Sequence, residues 1–387
     1  MNFDLTPEQR AIRESVREWA QRELAPRAYE LDRDGAFPAE LYQKCNRDLS
    51  VASIPFPERY GGMGLGMLDM SLVIEELARV DQSFALTLMV SVALGKMLET
   101  FGSEPQKERF LPGIAAGTGI AAGAGTEPQA GSWTAGFKTR AERRDGQWVI
   151  NGEKAFITNC GTDLTSVIGV CAVTSPVDEP TAHMTMFLVP RGTPGMEIGA
   201  SYDKLGWRSS DTHPIYFDNL RVGDDALLGT LGQGRYILHK GYHNGRILIS
   251  ALAVGLAQGC LDHAVAYAKE REAFGRRIGG FQLVQKMVAD IAVKVETARL
   301  IARKAAWSYD SGTPDDYTMS ISKYYCAEIA SECADLAIQV HGGSGFMNEC
   351  APSRYWRDTR IVRIGDGTSQ IQVLLIAKAL GLDVDFG

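Results

Sequence analysis

Near the C-terminal end, the segment RIGDGTSQIQ (363–372) places one carboxylate, Asp366, between Gly365 and Gly367. Glycine admits backbone dihedrals that other residues avoid and lets another molecule approach the main chain closely. A single acid exposed on so bare a backbone is open to whatever the chain brings against it, and the local sequence does not say what that is. Read from RIGDGT alone, an aspartate that hydrogen-bonds its own turn is the simpler claim. A second constellation is His239 and His243, four apart as in a helical metal pair. No acid lies between them, no third ligand is in view and Gly241 weakens the intervening helix, so no metal is expected.

The glycine clusters GGMGLG (61–66) and GGSGF (342–346) do not follow the G-x-G-x-x-G pattern of a strand-to-helix dinucleotide turn, which argues against a Rossmann site. A G-x-S-x-G elbow is missing and none of the cysteines lies in a nucleophile motif, so a covalent acyl-enzyme has little support. TEPQAGS (126–132) offers hydroxyls and closely spaced backbone N–H groups, and AFITN (155–159) pairs an aromatic with a threonine. Together they could hold a polar planar ring or a pyrophosphate. By composition alone they are ordinary turn and strand segments.

The elements that must position these residues come in three blocks. Thr6-Pro7-Glu8-Gln9 is a capping box with proline at the first helical position, and Ile12, Val16 and Trp19 follow at helical spacing. Helical pattern continues through SLVIEELARV and ALGKMLETFG, so residues 1–120 are expected to form a helical domain. Asp145-Gly146 and Asn151-Gly152 then signal hairpins, and SVIGVCAV, MTMFLV and HPIYFDNLRV are β-rich, which predicts a β domain over 121–232. Helical period returns over 233–387, where Val284, Met287, Val288, Ile291 and Val295 share one face and a second long helix ends at His341-Gly342-Gly343. The fold class is α+β: a helical domain, a β-barrel-like middle domain and a C-terminal four-helix bundle.

A length of 387 residues suits two or three domains, and a net charge of −7 argues against broad nucleic-acid or anionic-membrane binding. The seven scattered cysteines, an odd number without a C-x-x-C pair, suit a reducing compartment. The N-terminus is charged at once, and the longest nearly apolar run, Ile247 to Leu261, falls short of the roughly 20 residues that span a bilayer. A cytoplasmic location without a membrane is the expectation.

PERYGG, EELAR, TEPQAGS, INGEKAFITN, KLGWRSSDT, EREAFGRRI, QVHGGSGF, YWRDTRI and DGTSQIQ stand in this order along the chain. In that register, over nearly its full length, the sequence resembles the acyl-CoA dehydrogenases. The resemblance implies bound FAD, an acyl-CoA substrate, an electron-transferring flavoprotein as acceptor and a homotetramer. Carried over by position, Thr126, Ser132, Phe156, Ile157 and Thr158 would line the flavin, with Phe156 where most members have tryptophan. Arg271, Phe274, Gln282, Gln339, Gly342 and Gly343 resemble residues that reach the flavin nucleotide of a neighbouring subunit, and Thr368 and Gln370 resemble the C-terminal flavin contacts. Ser132, His243, Arg246 and Gly367 would serve the substrate, His243 standing where many relatives have an acid.

Asp366 stands where most relatives have a catalytic glutamate, and Gly245 occupies the other position from which some branches take their base. The resemblance therefore implies Asp366 as the base for the Cα proton, with hydride passing to the flavin. Aspartate reaches about 1.3 Å less far than glutamate, given the ~1.5 Å length of a carbon–carbon bond. The expected substrate is thus α-substituted or alicyclic, cyclohexanecarboxyl-CoA first and a short branched chain second. Two readings compete. One is an FAD oxidase of the nitroalkane-oxidising kind, whose members also carry aspartate here; the other is a flavin-binding structural partner without chemistry.

Overall fold

The computed structural model describes residues 4–176 and 183–385. The chain opens with α1 (Pro7–Trp19), α2 (Ala28–Asp34), α3 (Ala39–Leu49), α4 (Met67–Ala78), α5 (Gln82–Phe101) and α6 (Glu104–Ala115). The capping box at α1 is formed: the Thr6 hydroxyl accepts from Gln9 N at 3.2 Å, and the Gln9 side chain accepts from Thr6 N at 3.1 Å. Val16 and Trp19 are buried while Ile12 packs at the edge of the same core. Helices α4 and α5 are buried on nearly every side because they run through the middle of that core, and the buried Glu75 and Glu76 of α4 are paired with Arg299 and Arg17.

The β region comprises β1 (Ile120–Ala124), β2 (Arg140–Arg144), β3 (Gln147–Thr158), β4 (Thr165–Val173), β5 (Met184–Pro190), β6 (Met196–Ile198), β7 (Thr212–Val222) and β8 (Leu227–Leu228). They join in one sheet, ordered β6-β7-β3-β2-β4-β5-β8, with β1 parallel to β4. Asp145-Gly146 makes the expected tight turn from β2 to β3, both residues at positive φ (51° and 78°). Asn151-Gly152 does not turn the chain. It is a bulge inside β3, where the register with β7 shifts between Ile150 and Gly152. Gly152 sits at φ 141°, and a Cβ there would come within 2.7 Å of Thr139, so glycine serves a close approach rather than a hairpin.

The last block contains α7 (Gly234–Glu270), a small hairpin of β9 (Glu272–Ala273) and β10 (Arg276–Arg277), then α8 (Gln282–Asp310), α9 (Asp316–His341), α10 (Ala351–Val362) and α11 (Ser369–Ala379). Helix α7 runs unbroken for 37 residues, straight through Gly241, where weakening was expected. Its glycines admit neighbours: a Cβ at Gly255 would meet the Glu75 carbonyl at 2.1 Å, so α4 and α7 touch backbone to backbone. On α8, Ile291 and Val295 are buried, with Val284, Met287 and Val288 partly so on the same core. By length and composition α5 and α7 could each cross a bilayer, but 67% and 78% of their apolar windows are buried inside the protein, as in core helices.

The three blocks meet at one clasp. Arg357 on α10 pairs with Asp32 on α2, Arg208 Nε donates to the Asp32 carbonyl at 2.9 Å, and Trp207 N donates to Asp358 Oδ1 at 2.6 Å. This clasp fixes the KLGWRSSDT loop of the β block against both helical blocks.

Candidate active site

Helix α10 ends at Val362, and α11 begins where the Thr368 hydroxyl accepts from Ile371 N at 3.2 Å. The loop between them carries Asp366, which is half-buried and turned inward, not displayed to solvent as the bare sequence suggests. Its own φ is +52° and that of Gly367 is +85°, whereas Gly365 does not enter the left-handed region. The conformational freedom is thus used by Asp366 and Gly367. A Cβ on Gly367 would also lie 2.6 Å from Gln372 Nε2, so that glycine is needed for packing as well.

The carboxylate faces α7. A Cβ on Gly245 would lie 3.4 Å from Asp366 Oδ1 and 3.5 Å from its Cγ, which sets the two candidate base positions side by side. From below, α9 supplies Lys323, 1% exposed, whose Nζ donates to the Gly367 carbonyl at 2.6 Å. Burial raises the Asp366 carboxyl above its ordinary value, opposed by the charges of Lys323 and Arg246. Burial also brings the Lys323 ammonium down to about 8.

Arg246 and His243, one turn along α7, share a partner from α9. His243 Nε2 lies 2.8 Å from Asp316 Oδ1 and Arg246 Nη1 lies 3.4 Å from the same oxygen. The His243 hydrogen bond is the largest of several contacts that bring the Asp316 carboxyl down to about 2. His239 approaches Asp316 Oδ2 at 3.5 Å, so the histidine pair does meet an acid of the kind expected to be missing. That acid comes from 73 residues away, beyond the reach of local spacing. Arg246 stands at the same oxygen, where a guanidinium opposes a cation.

On the β side, Thr126 follows β1, and Glu127 beside it is buried. Glu127 accepts from Lys154 Nζ on β3 at 2.8 Å and from the main-chain N–H groups of Lys138 and Thr139 at 2.6 and 3.0 Å. This pair ties the TEPQAGS loop to β3 and leaves Ser132 on the exposed rim. Phe156 is 63% exposed at φ +61°, an uncommon conformation for a bulky residue, and its ring lies 5.1 Å from that of Tyr202. Ile157 departs from its expected part: its side chain is buried in the sheet core, so only its main chain can meet a ligand there. Thr158 is half-buried at the end of β3.

A third group gathers where the ends of α7 and α9 meet. Tyr267 stacks on His341 with ring centroids 4.4 Å apart. Around this contact Arg271, Phe274, Gln282, Gln339, Gly342 and Gly343 are all exposed. Phe274 is 96% exposed at φ +51°, and a Cβ on Gly342 or Gly343 would have open space around it. Among the described residues, three of the eight non-glycine residues at positive φ (Phe156, Phe274 and Asp366) are thus site candidates, consistent with strain collecting at functional positions.

Sequence profiles for the N-terminal, middle and C-terminal domains of acyl-CoA dehydrogenase match residues 6–118, 122–220 and 232–381. The chain belongs to the acyl-CoA dehydrogenase family. It is 40% identical over 381 residues to the probable acyl-CoA dehydrogenase YngJ of Bacillus subtilis, covering 98% of this chain and 100% of that one. Its fold is similar to that of butyryl-CoA dehydrogenase from Megasphaera elsdenii (TM-score 0.94, 33% identity, 98% and 100% of the two chains). A glutaryl-CoA dehydrogenase from Mycobacterium smegmatis in complex with FADH2 is also similar (TM-score 0.93, 30% identity, 99% and 97% covered). The protein is therefore an FAD-dependent enzyme of this family.

The residues present suit that cofactor. Phe156 and Tyr202 offer an exposed aromatic surface beside the Thr158 hydroxyl, and the open backbone at Gly342 and Gly343 can be approached without a side chain in the way. Sequence reasoning passed over Glu127, Lys154, Tyr202, Asp316 and Lys323. Glu127 and Lys154 stand inside the quoted motifs TEPQAGS and INGEKAFITN, so a charged residue within each was a usable signal. Lys323, a lone cation among the small and apolar residues of SISKYYCAEIA, carried none.

Proposed function

We propose that the enzyme removes a proton from Cα and a hydride from Cβ of an α-substituted or alicyclic acyl-CoA, leaving a 2-enoyl thioester or its ring equivalent. Cyclohexanecarboxyl-CoA is the first choice and a short branched acyl group the second. Asp366 takes the proton, and FAD, when bound, accepts the hydride. The single observation that carries this reading is the inward-turned Asp366 carboxylate set against Gly245, close enough that an added Cβ there would stand 3.4 Å from its Oδ1. Aspartate is one methylene shorter than glutamate, and a ring or branch at Cα would make up that shortfall by bringing the α-hydrogen closer to the base. A misplacement of ~1 Å can cost roughly 10²-fold in rate, so a linear substrate without that bulk would sit poorly against the base.

Arg246 steadies the thioester-bearing arm, held by Asp316, with His243 and Ser132 as further substrate contacts. The Asp366 main-chain N–H donates to the thioester oxygen as charge develops there. Thr126, Phe156, Thr158, Thr368 and Gln370 hold the flavin. The exposed group around Arg271, Phe274 and Gln339 serves the cofactor of another copy in a homotetramer, and an electron-transferring flavoprotein reoxidises the enzyme in the cytoplasm.

The test is an anaerobic titration of purified enzyme with cyclohexanecarboxyl-, isobutyryl-, butyryl- and octanoyl-CoA, read as bleaching of the flavin absorbance. The α-substituted compounds should bleach it fastest. Faster bleaching by butyryl- or octanoyl-CoA would overturn the substrate assignment, and bleaching by none would overturn the function.

A further inference from the structure

A buried lysine beneath the Asp366 loop calls for a reason. Lys323 lies on α9 with 1% of its surface exposed, and its Nζ donates to the Gly367 carbonyl at 2.6 Å. A neutral donor could tether that carbonyl, and Gln372 Nε2 already donates to it at 3.1 Å. An ammonium withdrawn from water is costly unless opposite charge compensates it. The Asp366 carboxylate is the foremost compensating group around Lys323, ahead of Glu328 on the same helix, while Arg246 opposes it. The lysine thus touches the Asp366–Gly367 pair, both at positive φ, by a hydrogen bond on one residue and by charge on the other.

We propose that Lys323 is a positioning residue for the base: its hydrogen bond to the Gly367 carbonyl holds the loop in its left-handed conformation, and its charge, set behind that loop, favours the carboxylate form of Asp366. This rests on the reading of Asp366 as the α-proton base. Two needs compete at such a carboxylate. It must be desolvated to become basic, yet it must not be protonated before substrate arrives. A cation placed behind the loop satisfies both, because it lies close enough to favour the ionised form while its hydrogen bond is spent on the neighbouring carbonyl. The Asp366 oxygens then remain turned toward Gly245 and the substrate. Besides Lys323 on α9, the groups facing Asp366 are Arg246 and Tyr242, both on α7.

The experiment compares Lys323→Arg, Lys323→Gln and Lys323→Met with the parent, flavin content and oligomeric state being checked for each. Glutamine can keep a donor without the charge, and methionine keeps neither. Two readouts are taken. One is the acidic limb of the kcat profile with whichever acyl-CoA the parent oxidises best. The other is the protonation midpoint of Asp366 in infrared pH-difference spectra, its band assigned with Asp366→Asn, and it needs no turnover.

Glutamine and methionine should move both the limb and the midpoint to higher pH by about one unit, the scale on which one nearby charge shifts a carboxyl. Arginine should stay near the parent. Methionine should also lose more rate than glutamine at pH values above the limb, because the tether is gone. An unmoved Asp366 midpoint in glutamine and methionine variants that retain FAD would overturn the charge role. Equal plateau rates in the two would overturn the tether. If the midpoint moves but no acyl-CoA reduces the parent, the dehydrogenase reading fails while the lysine–aspartate coupling stands.

Discussion

Glu127 and Asp366 each sit near a buried lysine, and they have opposite characters. Glu127 takes the hydrogen bond of Lys154 directly, at 2.8 Å, and two main-chain N–H groups besides. Burial alone would raise its carboxyl, but the Lys154 charge and those donors outweigh it, leaving Glu127 below its ordinary value. Asp366 has its lysine nearby too, yet Lys323 gives its hydrogen bond to the Gly367 carbonyl. Burial then prevails and the Asp366 carboxyl is raised. The difference teaches that burial by itself does not make a reactive acid. What matters is whether the donors around it are aimed at the carboxylate or past it.

The largest effect should come from breaking the fully compensated pair. With side-chain exposures of 0% and 1%, neither Lys154 nor Glu127 has water to fall back on. Lys154→Met should destabilise the protein by about 3–5 kcal/mol, the usual cost of orphaning a buried charge, read as a lower denaturant midpoint. FAD should be lost with it, because the pair anchors the TEPQAGS loop to β3. Asp366→Asn is the converse case. The fold and the flavin should be retained, and turnover should fall by at least ~10²-fold, as for removal of a positioned base. A midpoint unchanged in the first variant, or a rate unchanged in the second, would erase the contrast between the two acids.

Their pH dependence should differ in sign. Glu127 is held below its ordinary value, so it adds stability above the unfolded-state pKa, and this is lost as pH falls through the folded value. Asp366 is held above its ordinary value and binds its proton more tightly when folded. Stability from this group is therefore present at low pH and declines as pH rises from the ordinary to the raised value. Activity follows the opposite course, because only the ionised form accepts a proton. The kcat profile should show an acidic limb above the ordinary carboxylate range, whereas Glu127→Gln should lose part of the parent's acid sensitivity of unfolding.

Much of this arrangement was legible in the chain. The capping box at Thr6, the Asp145-Gly146 turn and the apolar face of α8 declared themselves by local rules. Asp366 was legible because its flanking glycines and its register with the family mark it. Asn151-Gly152 misled because the same dipeptide that makes a tight turn also makes a bulge. Only the Thr139 backbone pressing on Gly152 decides between them. Asp316 and Lys323 were invisible for another reason: they reach α7 and the Asp366 loop across 73 and 44 residues. Their meaning arises only when α7, α9 and the loop before α11 pack together.

The smallest expected change also tests most finely what the missing side chain at Gly245 is for. In Gly245→Ala the new methyl would lie 3.4 Å from Asp366 Oδ1 and 3.5 Å from its Cγ, close to ordinary van der Waals contact, so α7 should accept it with little movement. Replacing glycine by alanine in a helix interior favours the helix by about 1 kcal/mol, and the variant should unfold at slightly higher denaturant than the parent. The methyl also narrows the approach to the Asp366 carboxylate, where an α-branch or ring would crowd it more than a linear chain. Oxidation of cyclohexanecarboxyl- and isobutyryl-CoA should therefore slow by roughly 10-fold, the scale of one methylene's worth of discrimination in a pocket. Butyryl-CoA, with only hydrogens to place there, should be little affected or slightly faster. A more stable variant with an unchanged ratio of kcat/KM between isobutyryl- and butyryl-CoA would mean that Gly245 serves only helix packing. The missing methylene of Asp366 would then need another explanation.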